Sequence, residues 1–312
     1  MPREALPASA PILDLRPWRA GISATLRHST FAIPIVPPLV MGVVNVTHDS
    51  FSDGGECLDC SRAVDRAMSM IAEGASIIDV GPESTRPGSQ SVPSEEQIRR
   101  AVPVIEAIRS RDARIAISID TRSAAVARAS LQAGADMVND TSAFRDDAKM
   151  VEVVAETKAA VVLMHRRGTP ADMQEGGGPH YGDVIAEVGD FLAERRDFAV
   201  RGGIDHARIV LDPGLGFGKR VEHNLQILHN LDRFVALGQP LLVGASRKRF
   251  IGTVLGIDDP KQRDAGSLAC AAIIAFAGAS IIRTHEVRAT VEILRLIAAV
   301  NAADSSRPSR GL

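Results

Sequence analysis

The chain has 312 residues, of which 45% are hydrophobic and 24% charged, with a formal net charge of -2. That composition excludes a disordered chain, and near-neutrality gives no bulk electrostatic pull toward nucleic acid or a membrane surface. The length allows two ordinary domains or one large α/β barrel.

No uncharged apolar run approaches the ~18 residues that a membrane span needs. Three cysteines, an odd number in a long chain, argue against a disulfide framework and for a reducing, cytoplasmic setting. Aromatic residues make up only 4%, so the core must be aliphatic.

Residues 1–38 are rich in proline and lack the basic start and apolar stretch of a secretory leader, and they read as an extended arm. The organised region is 39–300, and 301–312 reads as a frayed tail. Within 39–300 the spacing predicts eight strand–helix units. The apolar, β-branched run 39–46 is a buried strand, followed by a helix over 61–74. Strand 76–81 precedes helix 94–110, which a Ser94–Gln97 capping box would open. Strand 114–120 precedes helix 123–134, and strand 137–140 precedes helix 147–158. Strand 160–165 precedes helix 184–202, and strand 208–213 precedes helix 222–238. The last two units pair strand 240–246 with helix 264–278 and strand 280–285 with helix 287–300.

Short apolar strands alternating with amphipathic helices imply a parallel sheet, and eight units favour closure into a (β/α)8 TIM barrel. A doubly wound open sheet is the rival. It normally opens with a Gly-rich turn after its first strand, whereas here the strand runs into Asn45-Val46-Thr47-His48.

In a barrel the chemistry gathers at the C-terminal strand ends. Those ends carry Asn45, Asp79, Asp120, Asn139, His165, Asp212, Ser246, Arg283 and His285. One such residue could merely cap a helix, but a polar group on every strand reads as a ring. Ser84, Thr85 and Arg86, on a turn stiffened by Pro82 and Pro87, suit an anion. Arg247, Lys248 and Arg249 lie just past the seventh strand, with Arg283 and His285 beside them, so one side of the ring reads as a phosphate or pyrophosphate site. The opposite side, Asp120, Asn139 and Asp212, suits a flat ligand edge rich in N–H donors. The glycines after Pro213 leave Phe217 able to lie over that ligand. No cysteine–histidine set has zinc spacing, and Cys57-x-x-Cys60 has no second pair. A Mg2+ shared with ligand phosphates needs only one or two protein oxygens.

Seven ordered segments carry a resemblance: MGVVNVTHDSFSDGG, GASIIDVGPESTRPGS, ISIDTRSAAVARASLQAGADMVND, VVLMHRRGTPADMQ, IVLDPGLGFGKRVEHNLQIL, PLLVGASRKRFIG and GASIIRTHEV. Together they resemble the dihydropteroate synthases, the pterin-binding family, over roughly residues 39–300. The resemblance implies a (β/α)8 barrel that condenses 6-hydroxymethyl-7,8-dihydropterin diphosphate with 4-aminobenzoate to 7,8-dihydropteroate and pyrophosphate, in folate biosynthesis. It implies a pterin pocket of Asp120, Asn139, Asp212 and Lys248, with Phe217 against it. It implies a diphosphate site of Asn45, Thr85, Arg86, Arg283 and His285, with Asn45 also near Mg2+. Phe51, Pro87, Ser246 and Arg247 would shape the aminobenzoate pocket. The same resemblance implies a homodimer built through the late helices and a sulfonamide target.

The chain departs from the family pattern at His48, Pro82, Arg166-Arg167 and Arg249. Two other readings share the barrel: a pterin-binding paralogue without condensing activity, and a pterin-dependent methyltransferase. The latter does not need the Ser246–Lys248 and Arg283–His285 pairs.

Overall fold

The computed structural model of the chain describes residues 12–14, 32–34, 38–46, 56–83, 92–168 and 179–304. A short antiparallel pair, β1 (Ile12–Asp14) with β2 (Ala32–Pro34), lies within the N-terminal arm. Eight parallel strands follow: β3 (Leu39–Asn45), β4 (Ile77–Gly81), β5 (Ala116–Asp120), β6 (Met137–Asp140), β7 (Ala160–Met164), β8 (Ile209–Asp212), β9 (Leu242–Val243) and β10 (Ile281–Thr284). They pair in the order β8-β7-β6-β5-β4-β3-β10-β9. A parallel bridge between Leu211 and Leu241 joins the two edges, so the sheet closes into the barrel that the unit count predicts.

The alternation of side chains along each strand sorts the core into two shells. Leu39 and Met41, Ile77, Ala116, Met137, Val162, Val210 and Ile281 form one buried cluster inside the barrel. Their neighbours of opposite parity, such as Val40, Ile78, Ile117, Val138, Val161 and Ile209, face the surrounding helices. Each fully buried aliphatic side chain contributes about 1.5–3 kcal/mol of transfer free energy. Both faces of these strands are therefore held by burial, which is why they read as continuous apolar runs. Continued up each strand, the inward parity passes through Asn45, Asp79, Asp120, Asn139, Asp212 and Arg283. The polar ring thus stands on an apolar floor, with Asp79 and Ser118 as buried polar exceptions a layer down.

The helices are α1 (Glu56–Ala72), α2 (Ser94–Arg111), α3 (Ala124–Gln132), α4 (Met150–Thr157), α5 (Val184–Arg201), α6 (Val221–His229), α7 (Leu231–Val235), α8 (Arg249–Leu255), α9 (Asp264–Phe276) and α10 (Val287–Asp304). Four local expectations are corrected. The capping box does not form: Ser94 Oγ pairs with Ser123 Oγ at 2.9 Å, and Gln97 Nε2 donates to the Val92 carbonyl at 2.8 Å. The single helix expected over 222–238 breaks at Asn230 into α6 and α7. Residues 249–255, read as loop, form α8, and Gly256 at φ 69° closes it. Helix α10 continues to Asp304, four residues into the expected tail.

Candidate active site

Arg283 on β10 is the centre of the barrel mouth. Its Nε donates to Asp79 Oδ2 at 2.7 Å, and its Nη2 donates to Asp120 Oδ2 at 3.0 Å. Asn139 Nδ2 donates to the same Asp79 oxygen at 3.2 Å. Three strands and β10 are thereby tied together by one polar knot. This corrects the expected separation of charges, because the cation predicted on the anion-binding side is paired with the carboxylates. A guanidinium inside an apolar cylinder must find carboxylates, and Asp79 and Asp120 are within its reach.

The knot is incompletely satisfied. Asp79 Oδ1, Asp120 Oδ1, Asn139 Oδ1 and Ser118 Oγ are buried without a partner. Buried acceptors left unmade are costly, and a ligand edge bearing several N–H donors would satisfy them. Burial raises the Asp120 carboxyl to about 7, against the lowering pull of Arg283 and with a further upward push from Asp79. Burial likewise raises Asp212, opposed by Lys248.

Asp212, at the end of β8, accepts the Gly214 N–H at 2.7 Å through Oδ1. That bond shapes the turn into the 213–218 loop. Gly214 has φ 67°, and a Cβ there would lie 1.9 Å from the His165 carbonyl, so only glycine fits. The loop puts Phe217 beneath Lys248, whose Nζ is 4.9 Å from the ring centroid and donates to the Leu215 carbonyl. Burial lowers Lys248 to about 8, with Asp212 opposing. The structure brings Asp120 and Asp212 close enough to act on the Lys248 charge, sets Phe217 against Lys248, and links Asn139 to the Arg283 knot through Asp79.

The Arg247–Lys248–Arg249 run does not act as one cationic cluster. Arg247, at φ 58°, turns its guanidinium to Asp264 at 2.9 Å and to Glu286, while Arg249 is exposed. Ser246 Oγ lies 3.0 Å from His285 Nδ1, joining the ends of the seventh and eighth barrel strands. Asn45, partly buried at the end of β3, has its Oδ1 beside Gly81, 3.3 Å from where a Cβ would stand. Phe51, Thr85, Arg86 and Pro87, with His48, lie outside the described residues.

His165 has the wrong parity for the ring. It faces outward, edge-on to Phe191 at 4.8 Å, and Lys219 Nζ approaches its Nδ1 at 2.8 Å. Sequence reasoning placed Asp79 on the ring without a role, although its inward parity marks it. It missed Lys219 and an ion network on the rim. There Arg122 bonds Glu83 at 2.8 Å and Asp146 at 2.9 Å, and Arg166, one of the departures from the family pattern, also grips Asp146. Glu83 additionally accepts the Val92 N–H at 2.9 Å.

Comparison with known proteins agrees with this geometry. Residues 41–285 match the family model described as pterin binding enzyme. The dihydropteroate synthase of Escherichia coli K12 is 46% identical over 270 residues, covering 86% of this chain and 94% of the relative. That of Synechocystis is 46% identical over 259 residues, covering 82% and 88%. Among solved structures, Xanthomonas albilineans dihydropteroate synthase with 4-aminobenzoic acid aligns with a TM-score of 0.83 at 43% identity, covering 94% of this chain and 99% of that one. The same enzyme in complex with 7,8-dihydropteroate aligns at 0.80 and 41%, with the same coverage. A chain with this barrel, this polar mouth and these relatives belongs to the pterin-binding enzymes, in the dihydropteroate synthase family.

Proposed function

We propose that this chain condenses 6-hydroxymethyl-7,8-dihydropterin diphosphate with 4-aminobenzoate, and that the two substrates meet over Arg283. The observation that carries the reading is the set of orphaned buried acceptors on Asp79, Asp120 and Asn139 beside an Arg283 guanidinium. Asp120, Asn139 and Asp212 accept from the pterin's ring and amino N–H groups, while Lys248 and Phe217 cover one face. Arg283 and His285, with Thr85 and Arg86 from the second loop, take the diphosphate. Phe51, Pro87, Ser246 and Arg247 border the aminobenzoate.

In the reaction the amine nitrogen bonds to the pterin methylene carbon as the carbon–oxygen bond to the diphosphate breaks. The leaving group departs with the bonding pair, and the new secondary amine sheds one proton. Charge grows on the diphosphate and, in a dissociative path, positive charge grows on the pterin. Cations at one and carboxylates at the other lower the barrier, because both are fixed before reaction begins. The weakly basic arylamine needs positioning more than activation.

Mg2+ fits this site modestly. Among the described residues no group of three His, Cys, Asp or Glu side chains could hold a metal, but the amide oxygen of Asn45 is a hard donor at the mouth. A Mg2+ held by Asn45 and substrate phosphates would neutralise charge on the leaving group.

A homodimer is part of the reading. Leu225, Val254, Leu255 and Ile273, each 43–56% exposed, edge an apolar groove of about 460 Å³ between α6, α8 and α9. A second copy of this chain fits an apolar face of that extent. Sedimentation over a concentration series should show a dimer, and a monomer throughout would contradict it. The buried Cys270 is a free thiol, as suits a cytoplasmic enzyme, and no described helix is long and apolar enough to cross a membrane.

The site assignment is tested by two variants. Asp212→Ala should lose pterin binding in a fluorescence titration, whereas Arg283→Met should keep most binding and lose turnover. Equal, small effects from both would contradict a mouth with distinct pterin and diphosphate sides.

A further inference from the structure

Asp79 enters the reading above through its unpartnered Oδ1, with no substrate contact or role of its own assigned to it. It lies mid-strand on β4, fully buried, in register with Ser118 rather than at the strand end. One of its oxygens serves two donors from distant strands: Arg283 Nε at 2.7 Å and Asn139 Nδ2 at 3.2 Å.

Each contact has a consequence for what meets the ligand. The Arg283 side chain has four rotatable bonds. Its plane is fixed only because Asp79 takes Nε while Asp120 takes Nη2, a fork built from two carboxylates on adjacent strands. An Asn side chain can present either its oxygen or its NH2 group. By accepting from Nδ2, Asp79 turns the Asn139 Oδ1, a buried acceptor without a partner, toward whatever fills the mouth. Asp120 does not do both jobs: among the described residues its carboxylate bonds Arg283, while the Asn139 amide goes to Asp79.

We infer that Asp79 is a positioning residue for the condensation, acting through Arg283 and Asn139 to hold the guanidinium in plane and the amide oxygen toward the pterin. This rests on the assignment of Arg283 to the diphosphate and Asn139 to the pterin. Supporting groups around reactive ligands typically change function by about 10–100-fold when removed.

The test is a double-mutant cycle of Asp79→Asn with Arg283→Met, read by pyrophosphate release with both substrates varied. Asp79→Asn alone should lower kcat by about tenfold or more while the KM for aminobenzoate stays within about twofold. In the Arg283→Met background the same change should cost less than about threefold, because one of the two groups it positions has gone and only the Asn139 contact is left to lose. That double variant should also unfold at a higher temperature than Arg283→Met, which leaves the Asp79 carboxylate buried beside no cation. If Asp79→Asn does not fold, Asp79→Ser, which makes room for a bridging water, carries the same cycle. Unchanged kcat in Asp79→Asn, or an undiminished loss in the Arg283→Met background, would overturn the inference. If Arg283→Met itself keeps full turnover, the diphosphate assignment falls, and the inference with it.

Discussion

Ser246 and His285 are joined twice: the Ser246 oxygen accepts the His285 backbone N–H at 3.2 Å and lies 3.0 Å from Nδ1 of the same residue. An oxygen already accepting one N–H has its own proton to give, which favours the imidazole tautomer protonated at Nε2. With His285 on the proposed diphosphate side, Ser246 would set how that imidazole meets the leaving group. Ser246→Ala should lower turnover by about tenfold, with pterin affinity unchanged. Parallel measurements of pyrophosphate release and pterin titration check it, and a matched loss of both would show that the serine serves the pterin instead.

The Asp120 carboxyl gives a signed pH effect. Its folded-state pKa, about 7, lies above the ordinary 3.8, chiefly because burial disfavours the carboxylate. Between those values the native state holds a proton that the unfolded chain has released. Stability from this group is therefore full below pH 4 and is lost as pH rises through 7. Asp120→Asn should flatten the fall in unfolding free energy between pH 4 and 7 relative to the parent, measured by urea titration at several pH values. Parallel curves for the two proteins would contradict the assignment.

Lys219 is a staple rather than a substrate ligand. Its buried Nζ meets His165 Nδ1 at 2.8 Å, the Gly214 carbonyl at 2.9 Å and the Phe217 carbonyl at 3.1 Å. The His165 carbonyl at 3.4 Å is a fourth acceptor, so the hydrogens of an ammonium are fully taken up, although burial pulls its pKa well down. Lys219→Met keeps the bulk but strands those acceptors, and should destabilise the fold by about 2–4 kcal/mol. Pterin affinity should fall with it, because the 213–218 loop carries Phe217 and is anchored at Asp212. A denaturant midpoint unchanged from the parent would refute the role.

Strand parity explains how much of this was legible in the sequence. The eight strand–helix units are visible because parallel strands buried on both faces read as apolar runs. The inward period of two then carries Asp120, Asn139, Asp212 and Arg283 to one mouth. His165 was misplaced for want of that same count: it follows Met164, which faces inward, and so must face out. The pairing of Arg283 with Asp79 was hidden because charge segregation along a sequence says nothing of how far a guanidinium reaches across a barrel. The break at Asn230 and the short helix α8 were hidden for another reason, since apolar spacing there fits one long helix or a loop equally well.

The most direct test of the central claim is product formation with each substrate omitted in turn. Purified protein given the pterin diphosphate, 4-aminobenzoate and Mg2+ should release pyrophosphate and form dihydropteroate in equal amounts, with no dihydropteroate when either organic substrate is left out. Folded protein that binds the pterin yet forms no dihydropteroate with both substrates and Mg2+ present would contradict it, and would leave a pterin-binding protein without condensing activity.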